Sequence, residues 1–166
     1  MSKKFDEPNG LTDVAQFHET FDLPVLEEPT IPSPQRCALR VNLLQEELNE
    51  LKDALADNDI VEVADALCDL QYVLSGAILE FGLGDRFKEL FEEVQRSNMS
   101  KTCKSRDIAE QTQRYYKEEK NTDSYVVARG DEFLVYREGD SKVLKSIEYS
   151  PADIKGKLES SSVTII

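Results

Sequence analysis

Apolar residues in the first two thirds of the chain recur every three or four positions, which is the spacing of helices with one buried face. The apolar stripe in TDVAQFHETF predicts a short helix over residues 12–21 with Thr12 as its cap. A proline-rich stretch then ends this helix. A Ser-Pro start and a regular row of leucines predict a second helix over residues 34–56. Asp59 is a suitable N-cap for a third helix over residues 60–81, whose apolar residues lie on nearly every side. Such a helix is typical of the centre of a bundle.

The pattern changes further along the chain. A helix should cover residues 85–96, a break follows at residues 97–101, and a more polar helix covers residues 107–119. Three β-type segments come last, YVVARG, EFLVYR and KVLKSI, separated by glycine-containing turns. The sequence therefore predicts a mainly α protein, a four- to five-helix bundle with a small C-terminal β-hairpin or meander. We assign residues 1–121 to a helical domain and residues 122–166 to a small β appendage and tail packing on the bundle.

Composition narrows the class of protein. The formal net charge of −13 disfavours nucleic acid as a partner, because neutralising a phosphate backbone needs a basic face. The N-terminal MSKKFDEPNG has no apolar core of signal-peptide length, and acids interrupt the most apolar run, residues 60–83. We therefore expect a soluble cytoplasmic protein without a membrane segment. The three cysteines show no CxxC or zinc-ligand spacing, so free thiols are expected.

The second predicted helix carries three glutamates close together, Glu46, Glu47 and Glu50. On a helix they adjoin one another at the edge of the leucine row. A solvated acidic face is the ordinary explanation for such a run. However, no lysine or arginine follows any of them at four positions, and Glu50 itself follows Glu46 there. Like charges at that spacing destabilise a helix, which favours a functional role.

The third predicted helix carries a further acidic stripe, because Glu62, Asp65 and Asp69 fall on one side of an otherwise apolar segment. Burying unpaired carboxylates is costly, so a cation should meet them. Lys52 is the only lysine or arginine between residues 41 and 85, which leaves a metal ion as the natural counter-charge. All-oxygen carboxylate ligation suits Mg²⁺ or Mn²⁺, and phosphate groups of a substrate usually complete a Mg²⁺ site. Two facing acidic helices would thus form a di- or triphosphate site.

A carboxylate-bridged di-iron site is the competing interpretation of an acidic bundle. That site needs a Glu-x-x-His motif on each of two helices. The single histidine, His18, lies in the first predicted helix beside two phenylalanines. We expect His18 to serve in packing or capping and leave it out of the site.

Three sequence elements, EELNE, DALCDLQYV and SNMSK in that order, resemble the all-α nucleoside triphosphate pyrophosphohydrolases. That superfamily includes MazG-like proteins, dimeric dUTPases and phosphoribosyl-ATP pyrophosphohydrolases, and the chain looks most similar to the last branch. The resemblance covers about residues 15–105 well and the tail more loosely. It implies the helical bundle of this superfamily.

The resemblance also implies roles for the glutamates of the second helix. Glu46, Glu47 and Glu50 would bind Mg²⁺ together with acids of the third helix. One carboxylate, Glu47 or Glu50, would orient or deprotonate a water that attacks a phosphate. The products would be a nucleoside monophosphate and pyrophosphate.

The acids of the third helix admit two alignments with the family. Glu62 and Asp65 match its usual Glu-x-x-Asp pattern literally. Aligning the D-L-x-Y-V stretch instead makes Asp69 the final acid, with Ala66 where glutamate is expected. Asp65, one turn before Asp69, then takes the glutamate's role. We favour Asp65 and Asp69 as ligands, because an unpaired charge deeper in an apolar helix is harder to explain, and keep Glu62 as an outer ligand.

Two residues further along match substrate-contacting positions of the family, and two more lie in a segment that resembles part of its site. Asn98 and Lys101 are chemically suited to nucleotide or phosphate contacts, although an ordinary polar loop would look the same. Lys145 and Tyr149 lie in a segment that resembles one folding over the site, as a phosphate-binding charge and a stacking ring. An edge strand packing on the bundle explains that segment equally well.

We therefore predict a Mg²⁺-dependent nucleoside triphosphate pyrophosphohydrolase that cleaves a (d)NTP or related nucleotide to the monophosphate and pyrophosphate. The alternative is a catalytically silent nucleotide- or metal-binding bundle with an assembly or regulatory role. Family members form dimers or tetramers, and the apolar third helix needs more cover than one chain offers. A homodimer or homotetramer is accordingly expected.

Overall fold

The computed structural model describes residues 3–159 of the chain. Within them it contains six helices and one two-stranded antiparallel sheet, which confirms the predicted mainly helical class. The elements in chain order are α1 Gly10–Thr20, α2 Pro34–Ala56, α3 Ile60–Glu80, α4 Phe87–Met99, α5 Arg106–Lys120, β1 Ser124–Arg129, β2 Glu132–Arg137 and α6 Ile154–Glu159, with a short 3₁₀ turn at Gly84–Arg86.

Backbone proximity divides the chain into two compact units. The first unit extends to Phe87 and the second begins at Lys88. The predicted division into residues 1–121 and 122–166 stays a prediction, and its part beyond residue 159 lies outside the described residues. No single helix within residues 3–159 is long and apolar enough to cross a membrane.

Local signals determine the helix ends of the first unit. The Ser33 hydroxyl accepts a hydrogen bond from the Arg36 amide at 3.4 Å, and proline occupies the first helical position of α2. The Asp59 carboxylate accepts from the amides of Val61 and Glu62 and caps α3 as predicted. The first helix instead begins two residues early, at Gly10, and no side chain caps it. Thr12 is therefore wrong as the cap.

The α3 helix is buried mainly at its C-terminal end. Its last six residues, 75–80, are buried, but earlier in the helix only Ala66 is. Ile60 is 76% exposed and Leu67 is 51% exposed. Within the first unit α3 packs against α1 and α2, which cover only part of its circumference. The first four turns of α3 are thus left uncovered within this chain, and their cover by a further copy stays a prediction.

The proline-rich segment after α1 closes over the end of α3. The Leu26 amide donates to the Leu79 carbonyl oxygen, and the Thr30 amide donates to the Phe81 carbonyl oxygen, both at 3.0 Å. Gly82 turns the chain at φ +66°, and a Cβ there would lie 1.9 Å from the Glu28 carbonyl oxygen. Glycine is required at this close approach.

The second unit contains α4, α5, the hairpin and α6. Helix α4 continues to Met99, so the predicted break at residues 97–101 begins only after that residue. The hairpin pairs Ser124 with Arg137 at one end and Arg129 with Glu132 at the other. The third β-type segment forms only an isolated bridge between Tyr136 and Val143, so there is a hairpin and no meander.

A small apolar core joins α5 to the hairpin. Its buried members are Cys103, Ala109, Val135 and Leu144. The amide and carbonyl of Cys103 both pair with Phe133, which ties the loop before α5 to β2. Helix α6 was not predicted, because its six residues are too few for a periodic pattern.

Candidate active site

All six predicted acidic ligands lie on two neighbouring helices of the first unit. Helices α2 and α3 pack together and are joined by the three residues 57–59, a connection that makes them antiparallel neighbours. Asn58 in that turn adopts φ +54°, a conformation that asparagine tolerates well. The ligand candidates are Glu46, Glu47 and Glu50 on α2, and Glu62, Asp65 and Asp69 on α3.

These acids are more exposed than the sequence predicted. Glu47 is half-buried, and the other five side chains are exposed. The preference for Asp65 and Asp69 rested on their lying deep in an apolar helix, and that premise is wrong because the first four turns of α3 are open. Desolvation is therefore a factor for Glu47 alone among the six.

Mutual repulsion is the electrostatic signature of the cluster. Burial and the nearby charges of Glu50, Asp69, Glu46 and Asp65, in decreasing order of effect, raise the pKa of the Glu47 carboxyl above its usual range. Glu62 is not one of the four charges with the largest effect on it. The two helices thus bring four of the other predicted ligands close around Glu47. The ligand roles themselves stay a prediction.

Among the described residues, lysines and arginines pair with other groups and leave this repulsion in place. In the described part of the chain, no ion pair involves any of the six acids. The ammonium of Lys52 instead donates to the Asn49 side-chain oxygen at 3.3 Å. Within residues 3–159, no three His, Cys, Asp or Glu side chains converge as a ready-made metal site. The donor set nevertheless fits a hard divalent cation, because exposed carboxylates can rotate towards one and oxygen is the donor that Mg²⁺ and Mn²⁺ prefer.

A buried ionic network lies further along the same two helices. The Glu80 carboxylate is 1% exposed and receives hydrogen bonds from the guanidinium groups of Arg36 and Arg40. Burial opposes ionisation of Glu80, but these two arginines hold its pKa below the usual range. Arg40 also contacts His18, with 3.1 Å between Nη2 and Nε2.

His18 has a structural role, as predicted, in this network. It is 2% exposed, and its Nδ1 lies 2.8 Å from the Pro24 carbonyl oxygen. Nδ1 is therefore the protonated nitrogen, and Nε2 accepts from Arg40. Among the described residues, Nε of Arg40 is the one buried side-chain nitrogen or oxygen without a hydrogen-bond partner.

A cavity of about 260 Å³ opens beside this network. Aromatic and aliphatic side chains form most of its wall, and Arg36, Arg40 and His18 supply its polar groups. Its lining includes Leu43 of α2 and Val73 of α3. Glu47 and Asp69 each lie four positions from one of these two residues, so the cavity adjoins the acidic cluster within about one helical turn.

The predicted substrate residues all lie in the second unit. Asn98 falls on the last turn of α4, where a loop was predicted, and Lys101 follows that helix. The Lys101 ammonium donates to the Asn98 side-chain oxygen at 2.8 Å. The structure thus brings this amide and this ammonium together at one helix end.

Tyr149 and Lys145 reach the same helix end. The Tyr149 hydroxyl lies 2.9 Å from the hydroxyl of Ser97, the residue before Asn98. The Lys145 ammonium lies over the Tyr149 ring, 4.3 Å from its centroid. Neither residue belongs to a strand, so the edge-strand explanation of this segment is wrong.

Sequence reasoning missed the network of Arg36, Arg40 and Glu80. A local signal existed, since two arginines one turn apart interrupt the apolar entry to α2. Their partner Glu80 is 40 positions beyond Arg40, and no periodicity links the two. Only the folded arrangement of α2 against α3 reveals the pair.

Comparison with known proteins bears on the region that holds the acids. The family model for phosphoribosyl-ATP pyrophosphohydrolase matches residues 14–98, which include all six. An uncharacterized protein of Acanthamoeba polyphaga mimivirus is 30% identical over 99 residues, covering 57% of this chain and only 39% of that protein. The family match supports a nucleotide pyrophosphohydrolase-like activity, the hydrolysis of a phosphoric anhydride. The chain belongs to the phosphoribosyl-ATP pyrophosphohydrolase family, within the MazG-like all-α nucleoside triphosphate pyrophosphohydrolase superfamily.

Proposed function

We propose that this protein is a Mg²⁺-dependent nucleotide pyrophosphohydrolase that cleaves a (d)NTP or related nucleotide to the monophosphate and pyrophosphate. The observation that carries the proposal is the crowding of four carboxylates around Glu47 inside the family-matched region. A folded chain has no stability reason to keep like charges together without a cation. A bound cation would offset the repulsion between these carboxylates.

Magnesium, or manganese, is the cation that this donor set favours. Glu46, Glu47, Glu50, Asp65 and Asp69 would hold it, and Glu62 would be an outer ligand at most. When bound, the ion would neutralise phosphate charge and stabilise the pentacoordinate transition state. An acidic protein could thereby accept a polyanionic substrate.

Carboxylates of the chain would orient and deprotonate the attacking water. Glu47 or Glu50 would accept a proton from a water molecule as its oxygen attacks the α-phosphorus. The bond from that phosphorus to the bridging α–β oxygen breaks, and the electron pair leaves with pyrophosphate. Both residues lie on α2 one turn apart, so one can orient the water while the other binds the ion.

The cavity beside the acidic cluster supports the proposal that the substrate carries a nucleoside, which would bind there while its phosphates lie at the acids. Its volume of about 260 Å³ is below the range of roughly 300–1,000 Å³ for pockets that enclose a whole small molecule, so it suits one end of a nucleotide. Its apolar wall would pack against a flat base, while the guanidinium groups of Arg36 and Arg40 could donate to exocyclic carbonyl oxygens of that base. An inorganic polyphosphate would leave this surface unused.

The test is turnover of dNTPs, NTPs and phosphoribosyl-ATP with Mg²⁺, followed by pyrophosphate release. Glu47→Gln and Asp69→Asn should each lower kcat by at least about 100-fold, as expected when a group that acts on the transition state is lost. Glu119→Gln is the control, because Glu119 is an exposed glutamate of α5 outside the acidic cluster and outside the family-matched region. Its kcat should stay within about fivefold of the wild type.

Two results would reject the proposal in different ways. Absence of turnover with every nucleotide, together with unchanged Mg²⁺ affinity in both variants, would reject the enzyme and its metal site. Absence of turnover with Mg²⁺ affinity lost in Glu47→Gln would favour the catalytically silent binding protein.

A further inference from the structure

Helices α2 and α3 of the first unit face each other along one row of side chains, with the buried ionic network at one end and the acids at the other. On α2 the row steps by four, three and four positions through Arg36, Arg40, Leu43 and Glu47. On α3 the same steps run backwards through Glu80, Gly76, Val73 and Asp69. Contacts at both ends support this register, because Arg40 donates to Glu80 and the charge of Asp69 acts on Glu47.

The cavity of about 260 Å³ borders the middle of this row, since Leu43 and Val73 both line it. Arg40 also lines it and precedes Glu47 by seven positions on α2. At roughly 1.5 Å of rise per residue, about 10 Å separates these two residues along the helix. A nucleoside with its α-phosphate has a comparable length. A nucleotide whose phosphates lie at the acids would therefore place its base in the cavity, close to the guanidinium groups.

Two aromatic rings in the cavity wall are open to a flat ligand. Phe17 and Tyr72 both line the cavity and are 39% and 40% exposed. Their rings meet edge to face, with 5.6 Å between the centroids. Every base has an apolar face that can pack on such rings, so stacking favours a base without choosing among bases. The choice among bases must come from the polar groups of the cavity.

The charged and imidazole groups that line the cavity can offer a ligand donors only. His18 has both ring nitrogens engaged, Nδ1 with the Pro24 carbonyl oxygen and Nε2 with Arg40. A guanidinium donates and cannot accept. In the described part of the chain, Nε of Arg40 has no hydrogen-bond partner, so the network contains more donors than acceptors. The Tyr72 hydroxyl can either donate or accept and does not discriminate between ligands on this ground.

Arg36 is the more accessible of the two arginines. Its Nε donates to one oxygen of Glu80 at 3.1 Å, and its Nη2 donates to the other. This two-point pairing fixes the plane of the guanidinium. Within residues 3–159 its Nη1 makes no hydrogen bond, and the side chain is 31% exposed. A carbonyl oxygen of a base could accept from Nη1, whereas an amino group in the same place would set donor against donor.

We propose that Arg36 is a specificity-determining residue that selects nucleotides whose base carries an exocyclic carbonyl oxygen over those with an amino group in its place. Uracil is then favoured over cytosine, and hypoxanthine over adenine. This inference rests on the proposed function and names the class of substrate that the site takes. Arg36 lies 11 positions from Glu47, three helical turns away, so its loss should change the choice of base and leave the chemistry at the acids in place.

The experiment measures kcat/KM with Mg²⁺ for two pairs of triphosphates, dUTP against dCTP and dITP against dATP. The members of each pair differ in one exocyclic group and the ring proton beside it. The wild type should prefer the carbonyl member by about 10- to 100-fold, the discrimination expected of a well-placed guanidinium. Arg36→Met should bring both ratios within about threefold of unity, because the donor is lost. Arg36→Gln should do the same, since an amide can both donate and accept.

The Arg36 variants should fold, because Arg36 is partly exposed and Glu80 keeps its hydrogen bond from Arg40. Tyr72→Phe tests the other polar side chain of the cavity and should leave both ratios as in the wild type. Arg114→Met is the matched control, since Arg114 is exposed on α5 and lies outside the family-matched region. Its kcat/KM for each nucleotide should equal that of the wild type.

Three results would overturn the inference: equal kcat/KM within each pair, preference for the amino member, or a wild-type preference that survives Arg36→Met. Loss of the preference in Tyr72→Phe alone would also overturn it. Failure of the proposed function would appear differently, as absence of turnover with every nucleotide. The affinities of nonhydrolysable dUTP and dCTP analogues then replace kcat/KM. Equal affinities, or no binding of either analogue, would overturn the inference as well.

Discussion

Gly76 lies in α3 against the buried cations of the first unit. A Cβ at this position would lie 2.7 Å from Nη1 of Arg40 and 3.1 Å from Nε2 of His18. The arginine cannot move away easily, because Glu80 and His18 both bind it. The absence of a side chain at residue 76 is what lets the network approach the helix.

We expect Gly76→Ala to destabilise the protein. Overpacking a filled site typically costs about 1–3 kcal/mol, whereas alanine exceeds glycine in helix propensity by only about 1 kcal/mol. Urea unfolding should therefore show a lower midpoint at unchanged slope. The matched control is the same substitution in an Arg40→Met background, where the obstructing guanidinium is gone and the loss should shrink. A higher midpoint for Gly76→Ala in the wild-type background would contradict the expected clash.

Residue-level features could be predicted where their cause is local. Ser33 and Asp59 were recognised as caps because a capping side chain bonds amides two or three positions away. The exposure of Asp65 and Asp69 could not be predicted, since it depends on which sides of α3 its neighbours cover. The pairing of Glu80 with Arg36 and Arg40 could not be predicted either, because it depends on how α2 packs against α3.

At the scale of elements, the Glu93 carboxylate joins α4 to the segment before α6, because it accepts a hydrogen bond from the Asp153 amide. Hydrogen bonds from Arg96 and from the Asp153 amide hold the pKa of Glu93 at about 2, below its ordinary value of 4.5. A carboxyl whose pKa is lower in the folded state stabilises that state fully above its unfolded pKa. This contribution is lost as the pH falls through the folded pKa.

We therefore expect the difference in thermal stability between the wild type and Glu93→Gln to depend on pH. The wild type should have the higher Tm above pH 5, and the difference should shrink as the pH falls from about 4.5 towards 2. Thermal unfolding followed by circular dichroism across this range measures it. A difference that grew as the pH fell would instead mean that folding raises the pKa of Glu93.

Long periodic elements were predictable, and short ones were not. Helices α2 and α3 follow from apolar spacing over many turns, so their bounds were predicted to within a residue. Segment KVLKSI has the composition of a strand, yet its side chains and amides bind α5, and only one bridge to β2 forms. Contacts with α5 therefore outweighed the strand propensity of this segment.

At the scale of the whole molecule, the first unit presents two exposed apolar rows. Val41, Leu48 and Leu55 on α2 are 65%, 40% and 61% exposed, each seven positions after the last. The row on α3 repeats at the same spacing and consists of Ile60, Leu67 and Leu74, which are 76%, 51% and 41% exposed. A repeat of seven along antiparallel neighbours is the pattern of a surface that packs on further helices.

We expect this surface to join copies of the chain in a homodimer or homotetramer. Leu67→Glu places a charge in the middle of the α3 row and should shift the protein to monomer in sedimentation at micromolar concentration. Ile31→Glu is the matched control, because Ile31 is 79% exposed but lies outside both helices, and it should leave the assembly intact. A wild-type protein that sediments as a monomer at that concentration would contradict the expectation.

The carboxylates around Glu47 also bear on how this chain balances folding against activity. Their charges make ionisation of Glu47 less favourable in the ligand-free fold, and within residues 3–159 no ion pair involves any of them. Neutral substitutions at these positions should thus be neutral or favourable for folding even where they abolish activity. Folding alone would favour losing these acids. If the proposed role of these acids is right, we expect a trade of stability for function at this one place on α2 and α3.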